Sequence, residues 1–359
     1  MKARLVVLAV LSCVLQGACR DQVRCIPDLI TGDHADNGRT VVERFLRASQ
    51  SGDADTLRAV LAPDAHLTLP VAGVYSPSLH AFPEGTHWDG EGVVEREADL
   101  HRKLIGVSSL EIVSLIGEGD SFAAEVVEHG VWASNRRLFI QHFSYHFRIR
   151  YGRVSEIRLY QDTLMLWDLQ DNPGLAVTPS LPTTKQASSI AIGNENKSVL
   201  RSDVSDTDHS GNKDVVRRFF IAVQARDFDA VRAAWAADGI WSSAIGGDYS
   251  PELRAFTGAS GRSREAMIEL IQNGTRNLRE PLTLDIYSII AEGDQVSAEA
   301  VGYDIRSNGR AYRQHYSFHF KVLKGKLVEC HEYQDTLHAW DLMHNVGGEP
   351  PVAVRLSAP

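Results

Sequence analysis

Gln141-His142-Phe143-Ser144-Tyr145-His146-Phe147 returns later in the chain as Gln314-His315-Tyr316-Ser317-Phe318-His319-Phe320. Tyr160-Gln161-Asp162-Thr163-Leu164 returns as Tyr333-Gln334-Asp335-Thr336-Leu337. Of the 31 pairs between residues 139–169 and 312–342, 15 are identical, a density that identifies a duplicated domain. Duplication separates positions kept in both copies from positions that diverged.

Both repeated stretches alternate polar and apolar residues, the period of a half-buried strand. The first predicts strands over 138–150 and 154–160, joined through Tyr151-Gly152, with partners over 311–323 and 327–333 joined through Lys324-Gly325. Upstream, strands 110–116 and 122–131 flank Gly117-Glu118-Gly119-Asp120, and strands 282–290 and 296–305 flank Ala291-Glu292-Gly293-Asp294. Earlier still the period changes to that of a helix. Val41, Val42, Phe45 and Leu46 share one helical face, matched by Val215, Val216, Phe219 and Phe220. A second short helix follows, with Asp53 or Asp227 as its cap, then a strand at 65–69 or 239–243, then a third helix near 90–105 or 263–278. The expected fold class is α+β: two tandem domains, each with three N-terminal helices packed on a curved antiparallel sheet.

The 359 residues divide into an export signal (1–18), a tether (19–37), domain one (38–172), a linker (173–210), domain two (211–346) and a tail (347–359). Lys2 and Arg4 precede an apolar run over 5–15, followed by Gly17-Ala18-Cys19, which is the pattern of an exported protein, periplasmic or secreted. Cys19 is the candidate lipidated cysteine of a membrane-anchored form, although Gln16 stands where that signal expects a leucine. The run is too short to span a bilayer. A net charge of -9 without a long basic stretch argues against nucleic acid as a partner. Four cysteines, three of them near the N-terminus, make no disulfide framework, and no zinc spacing occurs.

The order of elements, ending in Gly-Lys-Leu-Val-Glu-Cys-His-Glu-Tyr-Gln-Asp-Thr at 325–336, resembles the SnoaL-like branch of the nuclear transport factor 2-like superfamily. The resemblance covers both repeats. It implies a cone in which the sheet wraps the helices around a pocket. Members include ketosteroid isomerase, polyketide cyclases, limonene epoxide hydrolase and non-enzymatic binding modules, so it implies a pocket and not a reaction.

In the last strand of repeat one, Ser155, Ile157 and Leu159 share the more apolar face, assigned to the cone interior; the matching set in repeat two is Val328, Cys330 and Glu332. Repeat one thus reads as a scaffold and repeat two as the functional cone. The resemblance puts an acid/base aspartate where Glu332 stands, and a carboxyl in an apolar cone has a raised pKa. Asp304, on the neighbouring strand, is the candidate second acid, and Glu128 holds a similar place in repeat one. The hydrolase resemblance expects an arginine and an aspartate where repeat two has Ala300 and Gly302 and repeat one Val126 and Glu128. The isomerase's aspartate position holds Leu69 or Ser243. Trp241, Ser243, Cys330 and Tyr249 are the candidate ligand-binding residues of repeat two.

His142 and His146, like His315 and His319, lie four apart on a strand, roughly 13 Å. That is too far for one metal ion, and no metal or other cofactor is expected. Their face is assigned to the outside of the sheet, where the two domains are expected to pair as an intramolecular pseudo-dimer. Tyr-Gln-Asp-Thr-Leu reads as a structural chain reversal, with Trp167 and Trp340 covering a cone edge. Three functions stand: a module that holds a small lipophilic molecule in the second cone; an isomerase, cyclase or hydrolase using Glu332; and a structural or interaction role.

Overall fold

The structure is a computed structural model that describes residues 34–71, 86–171, 210–243, 261–276, 278–306 and 309–344. The expected export signal, the tail, the linker up to residue 209, Cys19 and Tyr249 lie outside them.

Helix α1 (His34–Ser51) starts within the stretch expected to be tether. Gly38 lets it run close to the sheet, since a Cβ there would overlap the Phe122 ring. Helix α2 (Ala54–Val60) begins where the Asp53 carboxylate accepts from Thr56 N at 3.0 Å. Strand β1 (Leu61–Thr68), a short β2 (His87–Asp89) and α3 (Gly90–Arg102) follow. The meander is β3 (Ser109–Glu118), β4 (Ser121–Val131), β5 (Leu138–Arg150) and β6 (Arg153–Gln161), closed by α4 (Thr163–Asp171).

Repeat two copies this order. It has α5 (Ser210–Ala225), α6 (Phe228–Ala234), β7 (Trp235–Ser243), β8 (Arg262–Ser263) and α7 (Arg264–Arg276). Its meander is β9 (Glu280–Glu292), β10 (Gln295–Ile305), β11 (Ala311–Leu323) and β12 (Lys326–Gln334), ending in α8 (Thr336–His344). Asp227 caps α6 as Asp53 caps α2.

Each sheet has six strands, in the orders β2-β1-β6-β5-β4-β3 and β8-β7-β12-β11-β10-β9. The expected α+β class, with helices preceding a sheet, is what forms. The sheets are mixed rather than wholly antiparallel. The first long strand pairs in parallel with the last, β1 with β6 and β7 with β12, because the chain crosses the helices and the whole meander before returning to it.

One face of each sheet packs on its own helices. Phe45, Leu46, Leu57, Ile157 and Leu159 fill the first core; Phe219, Val231, Trp235, Phe320 and Leu327 fill the second. The opposite faces, rich in serine, histidine and glutamate, are bonded to each other. Ser144 Oγ lies 2.8 Å from Ser317 Oγ and 2.8 Å from His319 Nε2, and His146 Nε2 lies 2.8 Å from Ser317 Oγ.

Two carboxylates flank this centre. Glu299 of β10 receives Arg158 Nε at 2.7 Å, Arg158 NH2 at 2.6 Å and Tyr160 OH at 2.9 Å. Its equivalent, Glu125 of β4, meets His331 Nδ1 at 2.8 Å and accepts from Tyr333 OH at 3.0 Å and Ser114 Oγ at 2.9 Å. Each repeat therefore offers a buried carboxylate to a cation on the last strand of the other.

Tyr-Gln-Asp-Thr-Leu does more than reverse the chain. It starts a fourth helix in each repeat and ties the two starts together. Thr336 Oγ1 donates to Asp162 Oδ1 at 2.6 Å, and Thr163 Oγ1 donates to Asp335 Oδ1 at 2.6 Å. The same hydroxyls accept from Leu164 N and Leu337 N at 2.9 Å. Each helix N-terminus is capped partly by the other repeat. Trp167 and Trp340 stack on one another with ring centres 6.3 Å apart.

Candidate functional site

Strand β12 turns Cys330 and Glu332 towards the helices of repeat two and His331 towards the other repeat. Cys330 pairs with Phe320 and is fully buried in the apolar core, where burial drives its thiol pKa well up. It does not line the cavity. Glu332 does, and so does Trp241. Parallel pairing of β7 with β12 sets Ser243 opposite Glu332, so both neighbours on β7 reach the carboxylate. Trp241 Nε1 donates to Glu332 Oε2 at 3.2 Å, and Ser243 Oγ donates to the same oxygen at 3.3 Å. Burial pushes the Glu332 carboxyl up to about 7, against the pull of those two donors and of Arg262.

The cavity has a volume of ≈ 160 Å³. Phe219, Val223, Met267, Ile271 and Leu284 form its apolar walls, and Asp304, Arg306, Tyr312 and Tyr316 add polar groups. Glu332 and the expected second acid thus line one space, without a direct hydrogen bond among the described residues. Asp304 Oδ1 instead pairs with Arg306 Nε at 3.2 Å, and burial raises its carboxyl to about 6. The Arg306 guanidinium lies 4.1 Å from the centre of the Tyr312 ring, whose hydroxyl is 2.8 Å from that of Tyr316. Arg306, Tyr312 and Tyr316 went unforeseen. Their signal was the period-two pattern on β10 and β11, which puts 304, 312 and 316 on the Glu332 side.

Repeat one departs from the expected apolar scaffold. Leu159 does replace Glu332, and Ile157 replaces Cys330. A cavity of ≈ 70 Å³ is nevertheless lined by Glu128 of β4 and by Glu97 of α3. Glu97 is buried, accepts from Ser49 Oγ at 2.5 Å and is paired with Arg96. The acids of this cone come from the opposite wall and from a helix, so the last strand alone could not reveal them.

His146, His319 and His331 of the central face are held by hydrogen bonds between the sheets. Burial lowers His146 to about 4, so its imidazole is neutral near pH 7. His331 behaves oppositely: Glu125 and Glu329 outweigh burial and raise it to about 10. Among the described residues, no group of three or more His, Cys, Asp or Glu side chains is placed to hold a metal ion.

The SnoaL-like domain family model matches residues 216–330. A comparison with curated proteins gave no match. Among solved structures, the chain is similar to a nuclear transport factor 2-like protein of unknown function from Burkholderia pseudomallei, at 19% identity over 37% of this chain and 98% of that one, with a TM-score of 0.32. It is similar to an epoxide hydrolase of the limonene type from M. tuberculosis, at 20% identity over 38% and 96%, with a TM-score of 0.29. A nuclear transport factor 2-like protein from Burkholderia xenovorans is 22% identical over 37% and 95%, with a TM-score of 0.29. Residues 216–330 are a SnoaL-like domain by that match, and the first repeat shares their strand order and repeated segments.

Proposed function

We propose that the cone of repeat two binds a small lipophilic molecule, with its apolar body among Phe219, Met267 and Leu284 and a polar end at Glu332. The observation that carries this reading is the Glu332 carboxyl itself, lining an apolar cavity and fixed by Trp241 and Ser243. A neutral carboxyl offers a donor to a ligand oxygen while its other oxygen accepts, the polar anchor that apolar pockets use for orientation. Purified protein exposed to a lipophilic extract, then analysed by native mass spectrometry, should retain a small molecule that Glu332→Gln retains less well. Equal retention by both, or none by either, would remove this assignment.

A second reading has its own support. Glu332 at about 7 and Asp304 at about 6 line the same cavity, and a general acid or base works best when its pKa lies near the ambient pH. Glu332 would then give a proton to, or take one from, the bound molecule. Conversion of the retained molecule by wild type and not by Glu332→Gln separates an enzyme from a carrier.

The proposal includes export through residues 1–18 with Cys19 as a lipid anchor, which rests on the sequence alone. The described residues contain no helix long and apolar enough to cross a membrane. Intact-mass measurement of protein from the membrane fraction tests the anchor: an unmodified Cys19 rules it out.

A further inference from the structure

Gln141 and Gln161 line the smaller cavity, in repeat one, and each is 5% exposed. Gln141 Oε1 and Gln161 Nε2 meet no hydrogen-bond partner among the described residues. In repeat two the equivalent amides bond to each other, with Gln314 Nε2 donating to Gln334 Oε1 at 3.1 Å. No such bond joins Gln141 to Gln161 among the described residues; Gln314 Oε1 is unpaired as Gln141 Oε1 is, so the unpaired Gln161 Nε2 sets the first copy apart, and its cavity presents one buried acceptor and one buried donor.

Charge in this cavity is also unbalanced. Arg96 is committed to Glu97, which Ser49 also holds. No cation pairs with Glu128 among the described residues. The walls nearby are aromatic, formed by Trp132, Phe139, Phe143 and Tyr145. Ring faces attract cations, and the attraction grows where water is excluded.

We propose that the cone of repeat one binds a small organic ammonium ion bearing a hydroxyl, its ammonium against the Glu128 carboxylate and its hydroxyl between Gln141 and Gln161. A hydroxyl both donates and accepts, which is what an unpaired amide oxygen and an unpaired amide nitrogen together require. An ammonium supplies the missing counter-charge. Burial and the nearby Glu97 push the Glu128 carboxyl up to about 7, against the pull of Ser108 and of the more distant Arg96 charge, so capture of a cation near neutrality releases a proton from the site. A volume of ≈ 70 Å³, less than half that of the second cone, restricts the ligand to a few heavy atoms.

This site goes beyond the reading of repeat two and stands apart from it, since the two cones share no lining residue. Aminomethylpropanol and neopentyl alcohol have the same shape and differ by an ammonium in place of a methyl. Calorimetric titration of the full chain at about pH 7 should show saturable binding of the amine, at least about tenfold tighter than the alcohol, with a heat that depends on the buffer's ionisation enthalpy. Glu128→Gln should weaken the amine at least about tenfold, and Glu332→Gln should leave it unchanged. Binding of the alcohol as tight as the amine, amine binding insensitive to Glu128→Gln, or no saturation by the amine up to about 10 mM overturns the proposal. The wild-type comparison of the two probes decides the matter even where a variant fails to fold.

Discussion

Replacing His331 by glutamine should destabilise the protein in a pH-dependent way, and the structure fixes both the size and the sign. His331 lies between Glu125 Oε1 at 2.8 Å and Glu329 Oε1 at 3.1 Å, with 17% of its side chain exposed. Burial lowers its pKa, but Glu125 and Glu329 outweigh burial and raise it from 6.5 to about 10. A group raised in the fold lends its full stability below its unfolded pKa of 6.5 and loses it as pH climbs through about 10. At about 1.4 kcal/mol per pH unit, the upper bound is about 4–5 kcal/mol. Removing one partner of a buried pair costs about 3–5 kcal/mol, which agrees. Glu125, whose pKa is depressed, sets the acid side: its share is present above 4.5 and fades as pH falls. Both shifts describe one interaction and are counted once.

His331→Gln keeps a donor for Glu125 and loses the charge. Its urea stability at about pH 6 should fall by about 3–4 kcal/mol, and the deficit should shrink towards about pH 10. His331→Arg copies Arg158, the cation that Glu299 holds in the equivalent place. It should keep the stability and abolish the alkaline slope, because arginine does not titrate there. Comparing wild type with His331→Arg cancels every other group, since the two proteins share them. Wild type and His331→Arg losing stability in parallel between about pH 7 and 10, or His331→Gln costing under about 1 kcal/mol at pH 6, would refute the reasoning.

Glu332→Gln should stabilise the chain at about pH 8 by about 1–3 kcal/mol relative to its effect at pH 4, because a carboxyl raised to about 7 costs stability once pH exceeds its unfolded pKa of 4.5; a stability curve for the variant with the wild-type slope contradicts this. Thr336→Val removes the hydroxyl that bonds Asp162 and caps Leu164 N, and should cost about 1–2 kcal/mol by denaturant titration, with Thr163→Val costing a similar amount. Combined, the two should not add, since they belong to one network. Phe219→Ala empties a fully buried ring site packed by Trp235, Trp241 and Phe320 and should cost about 3–5 kcal/mol; a loss under about 1 kcal/mol would mean that the second core is not packed as described.

The duplication, the order of helices before sheet and the inward placement of Ile157, Leu159, Cys330 and Glu332 were legible in the sequence, whereas a bulge near the start of each last strand puts Val154 and Leu327 in the cores in place of the expected Ser155 and Val328. Residue alternation and helical period report which face an element buries, and both are local. Asp53, Asp227 and the apolar pairs on α1 and α5 needed nothing more. Glu332 was legible for the same reason: it breaks an apolar face that its twin keeps as Leu159. Glu125 and Glu299, kept in corresponding places of both repeats, carried a signal of the same kind that went unread, because a carboxylate on an outward face ordinarily meets water.

What partner each group meets was decided only by tertiary structure. Asp304 faces the cavity, where residue alternation places it, and Arg306, two residues on, takes it from Glu332. Asp162 suits a chain reversal by its type, and only the approach of the second repeat makes Thr336 its donor. Glu128 and Glu97 come from a strand and a helix that share a cavity through the closure of the sheet over α3. Arg158 and His331 align as equivalents in the sequence and are both cations in the fold, one by its chemistry and the other by its neighbours. A periodic pattern constrains direction along one element, whereas contact and pKa depend on distances between elements far apart in the chain, which sheet register and the packing of two sheets set together.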